Sequence, residues 1–288
     1  FKPADRLLIE GNYPGAGKLP LTVGRDGSGV VDACGAGVSL REDDAVVLLR
    51  GNVGITRNGT LAEFFVAPEE SLAKLPAGWS FEEGACSLVY LTAWKSLVSQ
   101  GNYREGETVL VTGSSGGVGI AAVQLAAALG ARVVALSRDA VKRRRLEDHG
   151  ARHTIDAAAD DLVQAVRNAL DGGGFDIAVE NLGGKFLEAN VRLANLNGRI
   201  MVVGLLAGRK ATPDLGPLLF NQVRIEGVHV GKYSAADARA AWASVVEVLS
   251  RAGQRPVIDR AFPLEAAPEA FDHLAGAHFG KVLVEAGA

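Results

Sequence analysis

The sequence predicts an α/β protein: a doubly wound parallel sheet at residues 95–233, a strand-and-loop region before it and a helix-plus-strand segment after it. Three observations carry that prediction. Val109–Gly130 reads as a buried strand, a glycine-rich turn and an alanine-rich helix. That arrangement brings bare backbone N–H groups to a pyrophosphate at the positive end of a helix. From Val109 onward strands and helices alternate, the pattern of parallel strands with helices on both faces. Residues 1–94, by contrast, are rich in glycine and turn residues and carry few long helical periods.

Each element follows from its local pattern. Val30–Val31, Ala45–Leu49 and Ala62–Ala67 are predicted as short strands between turn residues. The parallel-sheet strands are expected at Val109–Thr112, Arg132–Leu136, Asp176–Glu180, Arg199–Gly204 and Val223–Val230. The helices between them are expected at Gly119–Leu129, Asp139–Asp148, Asp161–Leu170 and Lys185–Asn195. Ala235–Arg251 reads as one amphipathic helix burying Trp242, Val245, Val246 and Leu249. Arg260–Glu285 closes with two strands around a short helix. Because the chain runs from Phe1 at once into Pro3-Ala4-Asp5, further N-terminal strands are expected ahead of it.

Composition narrows the class. At 48% hydrophobic and 22% charged, the chain is of ordinary globular type, and a net charge of −3 gives no electrostatic case for nucleic acid or anionic membrane. Two cysteines, Cys34 and Cys86, lack partnered spacing, which argues against a disulfide framework or a cysteine-rich zinc lobe. Both are expected as small buried hydrophobes. With no run of transmembrane length and no secretory segment, the cytoplasm is the expected compartment.

The glycine loop aligns as Ser114-x-Gly116-x-x-Gly119, with serine in the slot of the first glycine. Gly116 still permits close approach to a pyrophosphate, and Gly119 permits close packing of helix on strand. The next strand ends at Leu136-Ser137-Arg138, about 20 residues on, where an acidic residue would hold a free ribose 2′-hydroxyl. Ser137 and Arg138, with Lys142 one helical turn later, are instead the chemistry of a 2′-phosphate. They point to NADPH over NADH. Asp139 is expected to cap the following helix, and Arg143–Arg145 to form a solvated helix face.

The loop also fits the short-chain dehydrogenases, which pair a catalytic Tyr with a Lys four positions later. None of Tyr13, Tyr90, Tyr103 and Tyr233 has that partner, and a whole domain precedes the loop. The chain instead resembles the medium-chain dehydrogenase/reductase superfamily, in its zinc-independent quinone oxidoreductase-like branch. The matching pieces are Gly11-x-Tyr13, Gly24-Arg25-Asp26-x-x-Gly29-x-Val31, Gly59-Thr60-Leu61-Ala62-Glu63-Phe64, Leu88-Val89-Tyr90-Leu91-Thr92-Ala93-Trp94, Ser115-Gly116-Gly117-Val118-Gly119 and Gly280-Lys281-Val282-Leu283-Val284. The resemblance implies a GroES-like, mainly β substrate domain from residues 1–94 and 234–288, and a Rossmann-type nucleotide domain at 95–233. It also implies an active site in the cleft between the two domains. Zinc-dependent relatives carry a His in a Gly-His-Glu segment and a Cys before the Thr-containing helix. Here those slots hold Arg25 and Leu88, too few ligands for a catalytic zinc that needs about three. No metal is therefore expected.

Without a metal to polarise an ordinary ketone, hydride transfer favours a conjugated acceptor, whose electrons delocalise into a quinol or enolate. The resemblance makes Tyr13 a candidate proton donor, as in enoyl thioester reductases of the superfamily; as a loop tyrosine it could equally be a packing residue. Lys2-Pro3-Ala4-Asp5 departs from the branch's Asn-Pro-x-Asp. Further cofactor contacts implied by the resemblance are Thr92, Asn181, Val203, Gly204, Leu205, Val228, His229 and Val230, beside Ser115, Gly116, Gly117, Val118 and Gly119 of the loop. His229 reads equally as a structural histidine. Asp26 and Glu63 are expected to orient loops.

The leading expectation is an NADPH-dependent, zinc-independent reductase of quinones or other conjugated carbonyls, with a small-molecule substrate. The alternatives are an enoyl thioester reductase using Tyr13 and an NADPH-binding structural or sensor protein with little turnover. The last strand of the parallel sheet would be an exposed edge, which predicts a homodimer through that strand.

Overall fold

The computed structural model describes residues 2–276 and 278–287. The strands expected ahead of Phe1 lie outside the described residues. The chain forms two units: Phe1–Leu91 with Val230–Val246 and Arg255–Ala288, and Thr92–His229 with Glu247–Gln254.

The first unit begins with helix α1 (Pro3–Ile9). Strands β1 (Ser28–Val30), β2 (Ala45–Leu48) and β3 (Leu72–Lys74) then form an antiparallel sheet in that order. Helix α2 (Phe81–Gly84) is opened by a capping box: Ser80 Oγ accepts from Glu83 N–H, and the Glu83 carboxylate accepts from Ser80 N–H. Helix α3 (Ser87–Trp94) follows, with Ser87 Oγ donating to the Leu48 carbonyl. A π-helical turn extends α3 over Lys95–Ser99.

In the second unit, strands and helices alternate as β4 (Thr108–Val111), α4 (Gly117–Ala128), β5 (Arg132–Ser137), α5 (Ala140–Asp148), β6 (His153–Asp156), α6 (Leu162–Ala169), β7 (Phe175–Glu180), α7 (Lys185–Leu193), β8 (Ala194–Val202), α8 (Leu215–Phe220) and β9 (Arg224–Gly227). All six strands are parallel, in the order β6-β5-β4-β7-β8-β9. The chain starts in the middle of the sheet, winds outward one way and then the other, which is the doubly wound plan. β4 is buried at every position, as a strand covered on both faces must be. Leu110, Leu136, Val166, Phe175, Val191 and Ile200 anchor one core layer.

The last part returns to the first unit. Helix α9 (Ala235–Arg251) buries Trp242, Val245 and Leu249. Trp242 meets Trp79 edge-on, ring centroids 5.6 Å apart, while Arg239 Nη2 donates to the Glu69 carbonyl. β10 (Ile258–Pro263), α10 (Ala267–Ala275) and β11 (Lys281–Glu285) close the chain as a parallel β-α-β unit.

Several expectations need correction. Ala62–Ala67 forms no strand: Phe64 and Val66 stand 72% and 81% exposed, and a β-prone sequence without a paired neighbour and a covered face does not hold a strand. Cys34 is exposed rather than buried, because it lies in the turn-rich stretch between β1 and β2; Cys86 is buried, which pushes its thiol up to about 12. The outermost strand is shorter than the predicted Val223–Val230 and ends at Gly227. Helices α1, α2 and α8 and strands β3 and β6 lie where no element was expected. Asp139 does cap α5, accepting from Val141 and Lys142 N–H. Arg143 leaves the solvated face to donate to the Ser137 carbonyl at 2.8 Å and to reach Asp156 at 3.2 Å.

The second unit contains a half-buried, bidentate ion pair. Arg199 on β8 holds both oxygens of Glu107 at 2.8 and 2.6 Å, and its Nε donates to the Gly101 carbonyl. Burial pushes the Glu107 carboxyl up, but the hydrogen bonds from Arg199 and the Arg104 N–H, with the charges of both arginines, together outweigh it and the net shift is downward. Replacing Arg199 by Met strands that carboxylate, and urea titration should read a loss of about 3 kcal/mol. The double substitution Arg199→Met with Glu107→Leu should recover part of it.

Candidate nucleotide and substrate site

The site is built at the carboxyl ends of β4, β5, β7 and β8. Gly116 is the N-cap of α4 and no side chain caps that helix, so its first-turn N–H groups face an open, half-buried loop. Gly119 is buried one turn in, where a Cβ would stand 2.2 Å from the Gly113 carbonyl oxygen; only glycine lets helix and loop approach this closely. Ser114, in the slot of the missing glycine, has a structural task. Its Oγ donates to the Val111 carbonyl at 2.7 Å and accepts from Leu136 N–H at 2.9 Å, tying the loop to β5 just before Ser137.

Glu180, at the end of β7, organises the next loop. Its fully buried carboxylate accepts from Leu182 N–H, Gly183 N–H, Thr112 Oγ1 and Asn190 Nδ2. Burial pushes its carboxyl up, and these donors pull the other way without cancelling the rise. Asn181 turns back onto β4, donating from Nδ2 to the Thr112 carbonyl at 2.8 Å and from N–H to Thr112 Oγ1 at 2.9 Å. The segment after β8 lies on the same loop: Val203 N–H donates to the Glu180 carbonyl, and a Cβ on Gly204 would stand 2.5 Å from the Asn181 oxygen.

The structure thus brings together Ser115, Gly116, Gly117, Val118 and Gly119, Ser137, Asn181, Val203 and Gly204. Arg138 is exposed at the end of β5 and Lys142 half-buried on α5; Leu205 is exposed. Thr92 is buried on α3. Val228 pairs with Val202, while His229 is exposed beyond β9 with its carbonyl accepting from Lys95 Nζ. Val230 and Tyr13 belong to the first unit. Sequence reasoning gave no role to Glu180 or Ser114. A buried acid between a strand end and a Gly-Gly pair was the one available signal.

In the first unit, Arg25 Nη1 donates to the Tyr13 hydroxyl at 2.8 Å, and the guanidinium carbon stands 5.2 Å from that ring's centroid. Arg25, Arg50, Leu88 and Val230 line one small recess. Asp26 is buried between the ammonium groups of Lys2, at 3.1 Å, and Lys281. Burial pushes its carboxyl up, but the two lysines outweigh this and hold it well below the usual range. Its role is structural, joining the loop after Gly24 to β11.

Residues 117–251 match the zinc-binding dehydrogenase family model, and residues 1–77 match the alcohol dehydrogenase GroES-like domain model. The chain is 32% identical to a quinone oxidoreductase-like protein 2 homolog of Nematostella vectensis, over 93% of this chain and 74% of that protein. This chain belongs to the quinone oxidoreductase-like family of medium-chain dehydrogenases/reductases. A quinone oxidoreductase of Lama guanicoe is 28% identical over 98% of this chain and 84% of its own. Among solved structures, an NAD-dependent alcohol dehydrogenase superposes with a TM-score of 0.89 at 30% identity, covering 100% of this chain and 89% of its own. A mycobacterial protein complexed with NADPH gives 0.88 at 26% identity, covering 99% and 88%.

Family membership makes the protein an NAD(P)-dependent oxidoreductase with a Rossmann-like domain and a GroES-like domain. The zinc of the family model's name does not fit this chain. Arg25 and Leu88 cannot ligate a metal, and no group of three or more His, Cys, Asp or Glu among the described residues is placed to hold one. A nicotinamide dinucleotide does fit, since the uncapped start of α4 and the glycine contact at Gly119 form the cradle its pyrophosphate requires. No helix of the described residues is long and apolar enough to cross a membrane.

Glu180 gives a direct test of how this site is held. Glu180→Ala leaves four donors without their acceptor and should cost about 3 kcal/mol in urea unfolding, with weaker cofactor binding. Glu180→Gln keeps one carbonyl oxygen and should cost roughly a third as much. Equal stability of the two variants would contradict the assigned role.

Proposed function

We propose that this protein is an NADPH-dependent, zinc-independent reductase of quinones or other conjugated carbonyl compounds. The observation that carries this reading is the pair Arg25 and Leu88 in one recess, where zinc relatives hold metal ligands. With no donor set for a Lewis acid, the favoured acceptor is one that delocalises the incoming electrons by itself. The names of the quinone oxidoreductase relatives support the same acceptor class.

A reduced nicotinamide supplies the hydride. The chain's own contribution is to hold the pyrophosphate on the start of α4 through Ser115–Gly119 and to place the ring by Asn181 and the Val203–Leu205 segment. Preference for NADPH rests on β5. The carboxylate of Asp139 is engaged as the α5 cap, which leaves Ser137, Arg138 and Lys142 to meet the ribose. Tyr13 offers a hydroxyl whose oxygen already accepts from Arg25, so its proton points elsewhere and is available to an acceptor. That contact also favours a second reading, an enoyl thioester reductase.

Turnover assays separate the two. NADPH oxidation with 1,4-naphthoquinone exceeding that with a crotonyl thioester supports the first reading, and the reverse supports the second. Absence of turnover with either, despite tight NADPH binding, removes both and leaves a structural or sensor role. Arg138→Ala should raise KM for NADPH about tenfold while leaving that for NADH unchanged.

We further propose a homodimer through β9. This strand is the sheet edge, Ile225 on it is exposed, and Leu196, Leu215, Leu219 and Phe220 stand 64–79% exposed beside it. Light scattering at micromolar concentration should read twice the chain mass, and Ile225→Lys should reduce it to one. A monomeric wild type would exclude this interface.

A further inference from the structure

We propose that Arg25 and Arg50, with Tyr13 hydrogen-bonded to Arg25 beside them, form an oxyanion site that takes the carbonyl oxygen of the substrate and holds its charge after hydride addition. The inference rests on the conjugated-carbonyl reading above and adds the group that replaces the Lewis acid.

The argument begins with charge. Arg25 is nine-tenths buried, yet among the described residues no carboxylate lies within ion-pairing distance of its guanidinium or of that of Arg50. The nearest acid in sequence, Asp26, is already bridged by Lys2 and Lys281. Arg25 has the Tyr13 hydroxyl as its hydrogen-bond partner, and Arg50 has the Tyr233 carbonyl. Arg50 Nε is buried with no hydrogen-bond partner among the described residues. Arg25 is buried and Arg50 half-buried with its Nε enclosed, and cations with unused donors in such a place are costly unless an anion completes them.

The recess between them is bounded by Leu48, Val53, Leu88 and Val230 and has room for about one water molecule. That space suits a single oxygen atom rather than a whole carboxylate or phosphate. Its other side chains are apolar, with Gly51 and Gly231 completing the wall, so a charge formed there meets the two guanidinium groups with reduced screening. Backbone packing holds Arg25 in place. A Cβ on Gly54 would stand 2.1 Å from the Gly24 oxygen and 3.1 Å from Arg25 Cγ, so the loop after β2 clasps this position.

The chemistry balances without a further reactant. A bound reduced nicotinamide would supply a hydride to the substrate carbon, and the conjugated π electrons would then move onto the carbonyl oxygen. That oxygen, negative and beside Arg25, takes the proton of the Tyr13 hydroxyl. The phenolate left behind remains hydrogen-bonded to Arg25 and regains a proton from water. For a quinone the product of these steps is the keto tautomer of the hydroquinone, and loss of a ring proton to water with protonation of the second oxygen completes the hydroquinone, so that the net change is one hydride and one solvent proton.

The test uses the full-length chain and 4-nitrophenol, whose yellow anion mimics the product oxyanion and reports its own ionisation. Wild type should bind 4-nitrophenolate more tightly than the neutral phenol, with or without NADP+. Arg25→Met should weaken the anion about tenfold and abolish that preference, with NADPH affinity unchanged. Arg50→Met should weaken it less, and Tyr13→Phe should keep anion binding while lowering kcat with a quinone. Should Arg25→Met fail to fold, Arg25→Lys supplies the same comparison, with charge retained and the bond to Tyr13 lost. Undiminished 4-nitrophenolate binding in the arginine variants, or tighter binding of benzoate than of 4-nitrophenolate, overturns the proposal. Arginine-dependent anion binding without turnover of any conjugated acceptor removes the functional reading and leaves the oxyanion site standing. Turnover unaffected by Arg25→Met removes the site alone.

Discussion

The carboxyl ends of β4, β7 and β8 hold their shape because one buried carboxylate satisfies donors from three segments. Glu180 accepts from two backbone N–H groups of its own loop, from Thr112 after β4 and from Asn190 on α7. A loop turning inside a protein must find partners for its N–H groups. The carboxylate supplies them, and the glycines at 183 and 204 let the strands' exits lie one on another. Everything that would position a nicotinamide at this end, Asn181 and the Val203–Leu205 segment in particular, hangs from that arrangement.

In the first unit the equivalent constraint is distribution of charge. Asp26 is held between Lys2 and Lys281 in the interior, and this joins the start of α1, the loop after Gly24 and β11. The result is that Arg25, next in sequence, keeps its positive charge without a carboxylate. A protein of this family that lacks metal ligands still needs positive potential where negative charge develops. In the proposed site Arg25 is the group that meets this need, held by the Gly54 and Gly59 contacts on the neighbouring backbone.

Much of the second unit was legible in the sequence because both of its signals are local. A Val-Leu-Val strand followed by a glycine turn and an alanine-rich helix specifies its own geometry, and the alternation of periods specifies a parallel sheet. The boundaries of α5, α6 and α9 fall within a residue of their predicted positions since Asp139 and Asp161 cap the first two and periodicity marks the third. The first unit was harder to read. Ala62–Ala67 has the composition of a strand and lacks the partner that would make it one, and α1 begins at a proline that reads as a break when seen without its helix. Arg143 seemed part of a solvated basic run until Asp156, on a different strand, was placed beside it.

By itself the sequence determined the fold class, the nicotinamide-type loop and the unsuitability of its zinc slots, because each depends on residue identity and near-neighbour spacing. Only the tertiary structure decided that Arg25, Arg50, Leu88 and Val230 share one recess, that Tyr13 is hydrogen-bonded to Arg25, and that Asp26 is taken up by two lysines. Those facts join residues up to 255 positions apart. Which buried charge is compensated, and which is left to meet a ligand, is set by packing between distant segments, and no local pattern encodes it.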